Sequence, residues 1–196
     1  MKRLYLGCII YCWQALLWAA ASPIPMLQES SSQMMQVLEQ HKSELPKHPE
    51  IIRAAVLRYL LPHVDLQGMS RSVLGRDAWQ KASVSEKQAF TQAFTDLVIR
   101  TYSAPLTQYN HEVIRFLPVR GAIPDNFIQI DSVVVQTSGH QIPVTYQLVY
   151  LQGQWKIYDL SVEGISLLQS FRSQFAEALQ HQSITQLISN MKKKQA

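Results

Sequence analysis

The 196-residue chain has only two cysteines, Cys8 and Cys12, both within its first dozen residues. If that N-terminal stretch is removed, no thiol remains, which excludes a disulfide framework, a cysteine nucleophile and a thiolate metal site. Glycine is scarce at seven residues, and no glycine-rich phosphate loop or nucleophile elbow is present. The six histidines, His41, His48, His63, His111, His140 and His181, include no pair three or four residues apart, so none can place two ligands on one helix face. A metal site is therefore not expected. Charge is also sparse. Taking Lys2 and Arg3 from the 18 basic residues leaves 16 against 14 acidic ones, and Lys192, Lys193 and Lys194 alone exceed that difference. A nearly neutral body carries no nucleic-acid footprint. There is no internal repeat and no low-complexity tract.

One long apolar run exists, and it lies at the start. Lys2 and Arg3 precede an apolar stretch from Leu4 to Trp18, followed by Ala19, Ala20 and Ala21. This order of basic, apolar and small residues predicts a cleavable signal peptide over residues 1–21. The remainder reads as one domain over 22–191, long enough to bury a core without disulfides, and a basic tail over 192–196.

Apolar positions at helical spacing predict a helix from Met26 to Leu45, and a second along Ile51, Ile52, Ala55, Val56, Tyr59 and Leu60 up to Pro62. Asp65 caps a short helix stopped by Gly75, and the Ser83/Glu86 capping box opens a long one through Phe90, Phe94, Leu97 and Val98 that Pro105 should kink or end. The period then changes. Four segments, His111 to Leu117, Asn126 to Gln136, Pro143 to Leu151 and Gln154 to Val162, are rich in β-branched and aromatic residues and separated by turn signals at Ser138-Gly139-His140 and Gln152-Gly153. They predict a curved four-stranded antiparallel meander. The third strand alternates cleanly, with Val144, Tyr146, Leu148 and Tyr150 on one face. The fourth does not, leaving Trp155 and Ile157 as alternatives to Tyr158, Leu160 and Val162 for its inner face. Gly164 and Ser166 then hand the chain to C-terminal helices over Leu167 to Leu179 and Ile184 to Met191. The class is α+β.

Asp159 and Glu163, near the joint between sheet and helix, are the one pair of carboxylates placed for acid–base work, and an exported enzyme using them is one reading. The plainer reading is that Asp159 pairs with a strand neighbour and Glu163 with backbone donors. The large apolar residues that converge between helices and sheet are, by composition, core residues, which leaves an exported adaptor with a solid core as another reading.

Taken together, Leu60-Leu61-Pro62-His63-Val64, Val73-Leu74-Gly75, the Phe90/Phe94 helix with Tyr102 and Tyr109, and Trp155-x-x-Tyr158-Asp159 with Glu163-Gly164-Ile165-Ser166 resemble the MlaC family over nearly the whole chain after the leader. Members of that family, also called toluene-tolerance or ABC-transporter auxiliary proteins, are periplasmic phospholipid carriers that maintain outer-membrane lipid asymmetry. His63 departs from the aromatic common at that position. The resemblance implies a cone-like fold whose helices and sheet enclose an apolar lipid cavity, phospholipid as cargo with no cofactor, and no enzymatic step. It further implies a monomer that docks with an inner-membrane ABC transporter complex bearing a lipid-binding ring and with an outer-membrane lipoprotein–porin complex. The residues expected to bind lipid are Leu61, Val73, Leu74, Phe90, Phe94, Val98, Tyr146, Leu148, Tyr158, Leu160, Val162 and Ile165.

Overall fold

The computed structural model describes residues 21–119, 121, 123–124 and 126–193, so the expected leader up to Ala20, Arg120 and the end of the tail from Lys194 lie outside the described residues. The first helix, α1 (Ile24–Gln40), buries Leu27, Ser30, Met34 and Leu38, which recur every three or four residues and form the stripe that faces the body. α2 (Glu50–Ala55) continues without a break into a π-helical turn, Val56–Leu60, and a 3₁₀ turn, Leu61–His63. The single helix expected here therefore changes its winding twice. The segment is tied to the sheet afterwards: Val64 forms a parallel bridge with Ile157, Asp65 N donates to Ile157 O at 2.9 Å, and Lys156 Nζ donates to Pro62 O at 2.7 Å.

Asp65 caps α3 (Leu66–Leu74) by accepting from Gly68 N at 2.9 Å. Gly68 is required there, because a Cβ would stand 1.9 Å from the capping carboxylate. Gly75 ends α3 and α4 (Arg76–Lys81) follows at once. The Ser83/Glu86 capping box opens α5 (Val84–Leu106), whose 23 residues run one position past Pro105. A proline in the last turn interrupts little, since few residues beyond it need the helical ladder.

The sheet is a meander in the order β1 (Val113–Phe116), β2 (Phe127–Val135), β3 (Gln141–Leu151), β4 (Gln154–Val162) and β5 (Ile165–Ser166), antiparallel throughout. β5 is an addition to the four strands expected. It exists because Glu163 and Gly164 both adopt positive φ, 51° and 80°, which folds the chain back in the same two-residue turn that Gln152 and Gly153 make between β3 and β4. α6 (Leu167–His181) and α7 (Ile184–Lys193) complete the chain.

A bulge in β4 resolves the ambiguity over its inner face. Gln147 of β3 stands opposite Asp159 but its neighbour Leu148 stands opposite Ile157, so Tyr158 has no partner. Before the bulge Trp155 and Ile157 share a face with Tyr150 and Leu148, and after it Leu160 and Val162 share that face with Tyr146 and Val144. Trp155 and Ile157 hold the inner face before the extra residue and Leu160 and Val162 after it, whereas Tyr158, expected with the latter pair, is the extra residue itself. The core has two main parts. One is built by helices alone, α3, α5, α6 and α7, around the rings of Phe90, Phe94, Phe171 and Phe175. The other sits between α1 and the sheet, on Leu27, Ile128, Ile130, Leu148, Trp155 and Ile157.

Candidate functional site: an apolar chamber between helices and sheet

Between those two cores lies a partly open chamber of about 120 Å³. Its wall is formed by Val56, Leu60, Leu61 and Val64 from the irregular turn, Leu66 and Met69 of α3, Phe94, Thr95, Val98 and Ile99 of α5, Tyr146 of β3, Ile157 and Leu160 of β4, and Leu167 of α6. The two polar side chains on the wall offer it little. Thr95 Oγ1 donates to Thr91 O at 2.8 Å along its own helix, and burial pushes the Tyr146 phenol above its ordinary value while a hydrogen bond with Ser132 acts in the opposite sense. Such a space is suited to saturated hydrocarbon and to nothing that must be read by hydrogen bonds.

Five of the expected lipid-binding residues, Leu61, Phe94, Val98, Tyr146 and Leu160, line the chamber. The others do not. Val73, Leu74 and Phe90, at 1%, 4% and 0% exposure, belong to the helical core, because those sides of α3 and α5 face α6 and α7 rather than the sheet. Leu148 is fully buried under α1, in the second core. Tyr158, the unpaired bulge residue, packs against the helical core and borders a shallow groove with Arg71 and Arg172. Val162 is half-buried beyond the chamber, opposite Val144, and Ile165 is 68% exposed in the last hairpin.

The wall residues that sequence reasoning left out include Val56 in the π turn, Leu66 and Met69 of α3, Ile99 of α5 and Leu167 of α6. The π turn holds Val56 and Leu60, both of which line the chamber, outside a regular helical period. The adjacent Leu60-Leu61 pair just before Pro62 was the available signal for an irregular apolar segment.

The carboxylates lie apart from the chamber. Asp159 is 4% exposed, and its two oxygens accept from Leu160 N at 2.8 Å, Leu168 N at 3.0 Å and Ser166 Oγ at 2.5 Å. It thus fastens the start of α6 to the end of β4, alongside the Ser166 cap, which accepts from Gln169 N at 3.0 Å. Glu163 is exposed in the turn. Among the described residues no group of three or more His, Cys, Asp or Glu side chains is placed to hold a metal ion.

The family described as MlaC protein matches residues 28–193. The chain belongs to the MlaC family. Among curated relatives it is 27% identical over 180 residues to the intermembrane phospholipid transport system binding protein MlaC of Haemophilus influenzae, covering 88% of this chain and 82% of that one. It is 29% identical over 162 residues to the toluene tolerance protein ttg2D of Pseudomonas putida, covering 83% and 75%. The fold is shared with a phospholipid-binding protein from Ralstonia solanacearum solved in complex with a phospholipid, at a TM-score of 0.80 and 20% identity, over 88% of this chain and 96% of that one. The MlaC-family fold here is thus α+β, with its chamber bounded by the five-stranded sheet on one side and by α3, α5 and the irregular turn on the other.

Proposed function

We propose that this MlaC-family chain is a periplasmic phospholipid carrier, and that the chamber between α5 and the sheet is where it holds acyl chains. The observation that carries the reading is a partly open, wholly apolar space at the meeting point of the two cores, where a solid-core adaptor would have packed side chains. The physical need is large. Two acyl chains with about 30 methylenes between them cost roughly 24 kcal/mol to leave in water at about 0.8 kcal/mol per CH₂, so crossing an aqueous compartment requires that they be covered.

At about 120 Å³ the chamber is smaller than ligand sites of about 300–1,000 Å³. The described conformation is therefore a contracted one, and loading separates the walls. The segment best suited to yield is the π and 3₁₀ turn over Val56–His63, which contributes three wall residues and lacks a regular helical ladder. The sites in contact with lipid would be the chamber residues named above, with Leu61, Phe94, Val98, Tyr146 and Leu160 among them. Export by a signal peptide cleaved after Ala21 would place the carrier between an inner-membrane ABC transporter complex and an outer-membrane lipoprotein–porin complex. N-terminal sequencing of the purified protein should return Ser22.

An enzyme built on Asp159 is less well supported, because three donors already engage its carboxylate and it does not reach the chamber. The deciding experiment is mass spectrometry of lipids extracted from the protein purified from a bacterial periplasm. Diacyl phospholipid at close to one molecule per chain is the expected result. Extracts without phospholipid, from protein that is folded, would overturn the proposal.

A further inference from the structure

A polar groove lies one helical turn farther along α2 and α5, across Ile99 from the chamber. Ile99 belongs to both walls, and the groove, about 600 Å³ and open, is bordered by Pro46, Pro49, Glu50 and Arg53 on one side and by Asp96, Arg100, Ser103 and Thr107 on the other. Because α2 and α5 pack together here, moving from Val56 to Arg53 on one helix and from Thr95 and Ile99 to Arg100 and Ser103 on the other passes from hydrocarbon to donors within about 5 Å.

Two of those donors are buried without a partner among the described residues: Arg100 Nη2 and Ser103 Oγ. Ser103 is 8% exposed, and its hydroxyl departs from the usual habit of helical hydroxyls in this chain. Ser30, Thr95 and Ser170 each donate back to the carbonyl four residues earlier, at 2.9, 2.8 and 2.8 Å, which Ser103, like the buried Ser70 of α3, does not. Both acidic groups bordering the groove already have partners, Asp96 within the groove itself. Asp96 accepts from Arg53 Nη2 at 2.6 Å, and Glu50 Oε1 lies 2.8 Å from His48 Nδ1. A buried guanidinium nitrogen and a buried hydroxyl left unmatched side by side on one helix face are costly unless an acceptor arrives.

We infer that Arg100 and Ser103 form the seat for the phosphodiester of the carried lipid, on the polar side of Ile99 from the apolar chamber. The inference rests on the carrier reading and extends it to the headgroup. A phosphodiester supplies an anionic acceptor with more than one oxygen, which matches a planar guanidinium and a hydroxyl. Its place beyond Ile99 leaves the acyl chains in the chamber and the variable part of the headgroup in solvent. Recognition of the phosphate alone makes the carrier selective for phospholipid over neutral lipid and indifferent to the headgroup alcohol.

The test uses the full mature chain, stripped of lipid, and three probes: dioleoyl phosphatidylglycerol, dioleoylglycerol with the same chains and no phosphate, and sn-glycerol 3-phosphate with the phosphate and no chains. Retention is read by native mass spectrometry. The parent should hold phosphatidylglycerol at least about tenfold more tightly than dioleoylglycerol, the scale of one hydrogen bond to a charged group. Arg100→Gln with Ser103→Ala should remove that preference while leaving dioleoylglycerol binding unchanged, and Arg100→Lys should restore part of it. The urea midpoint of the lipid-free variants should not fall, since Arg100 Nη2 and Ser103 Oγ have no hydrogen-bond partner to lose among the described residues. A preference that survives the double substitution overturns the inference, as does a drop in midpoint large enough to explain lost binding. Glycerol 3-phosphate bound as tightly as the lipid overturns it in favour of a free-phosphate site. Equal retention of the two lipids by the parent overturns the phosphate seat and leaves the carrier standing. Retention of neither lipid removes both.

Discussion

Replacing Val98 with phenylalanine separates an empty chamber from a filled core. Val98 lines the chamber from α5, and the added ring atoms project into unoccupied space. An empty space of 120 Å³ costs the lipid-free protein about 3 kcal/mol at about 24 cal/mol per Å³. A phenylalanine that fills roughly a third to a half of it should recover about 1 kcal/mol once restricted rotamers are subtracted. In a solid core the same kind of substitution destabilises by about 1–3 kcal/mol. The sign therefore decides. Val73→Phe is the internal control, because Val73 is 1% exposed in the helical core and borders no chamber residue space, so it should fall in the destabilised range. The assay is urea unfolding of delipidated protein, with a raised midpoint and an unchanged slope for Val98→Phe. Lipid recovered from the periplasm should drop in parallel, because the ring occupies the volume where an acyl chain begins. A lowered midpoint for Val98→Phe would refute the empty-chamber reasoning. A raised midpoint with undiminished lipid would refute the assignment of this chamber to the cargo.

Asp159→Asn keeps one acceptor and should lower stability by about 1–2 kcal/mol, whereas Asp159→Ala, which strands Leu168 N and Leu160 N, should lower it by about 3 kcal/mol, both readable by thermal or urea unfolding with lipid content retained in any protein that folds. Full loss of transfer in a stable Asp159→Asn protein would instead revive the enzyme reading. Burial, and secondarily the charge of Lys156, hold the His63 imidazole below its ordinary pKa of 6.5, so the unfolded chain binds that proton more readily than the fold does. Stability should accordingly decline as pH falls below about 6.5 and level off once the folded group has also protonated, and His63→Gln should flatten that part of a pH series of urea midpoints. Lys192 and Lys193 form the last turn of α7, at the negative end of its dipole. Replacing Lys192, Lys193 and Lys194 with glutamine should leave recovered lipid unchanged, cost up to about 1 kcal/mol, and slow transfer to acidic partner complexes at low salt more than at high salt. An unchanged transfer rate at low ionic strength leaves only the helix-end role.

Sequence alone determined the elements whose causes are local. The caps at Asp65, Ser83 and Ser166, the stop at Gly75, the Gln152-Gly153 turn and the alternation of β3 were all legible because each depends on a few neighbouring residues and on backbone geometry. The α+β class followed from the order of those elements. Their family resemblance pointed to the family to which the match over residues 28–193 assigns the chain. The chamber was legible only in part. Leu61, Phe94, Val98, Tyr146 and Leu160 line it, but Val73, Leu74, Phe90 and Leu148 are as apolar and serve other contacts.

Hydrophobicity says that a side chain leaves water, not which of two cores receives it. That choice was made by tertiary structure at three points. The bulge at Tyr158 turns the inner face of β4 over midway, the π turn carries Val56 and Leu60 onto the chamber wall, and the two-residue strand β5 reverses the chain before α6. The same long-range packing engages Asp159, which the sequence left free to be a catalyst, as the clasp between β4 and α6. It also leaves Arg100 Nη2 and Ser103 Oγ without a hydrogen-bond partner among the described residues, across Ile99 from the chamber. Each of these outcomes depends on which surfaces meet across elements distant in sequence, and no local pattern encodes that meeting.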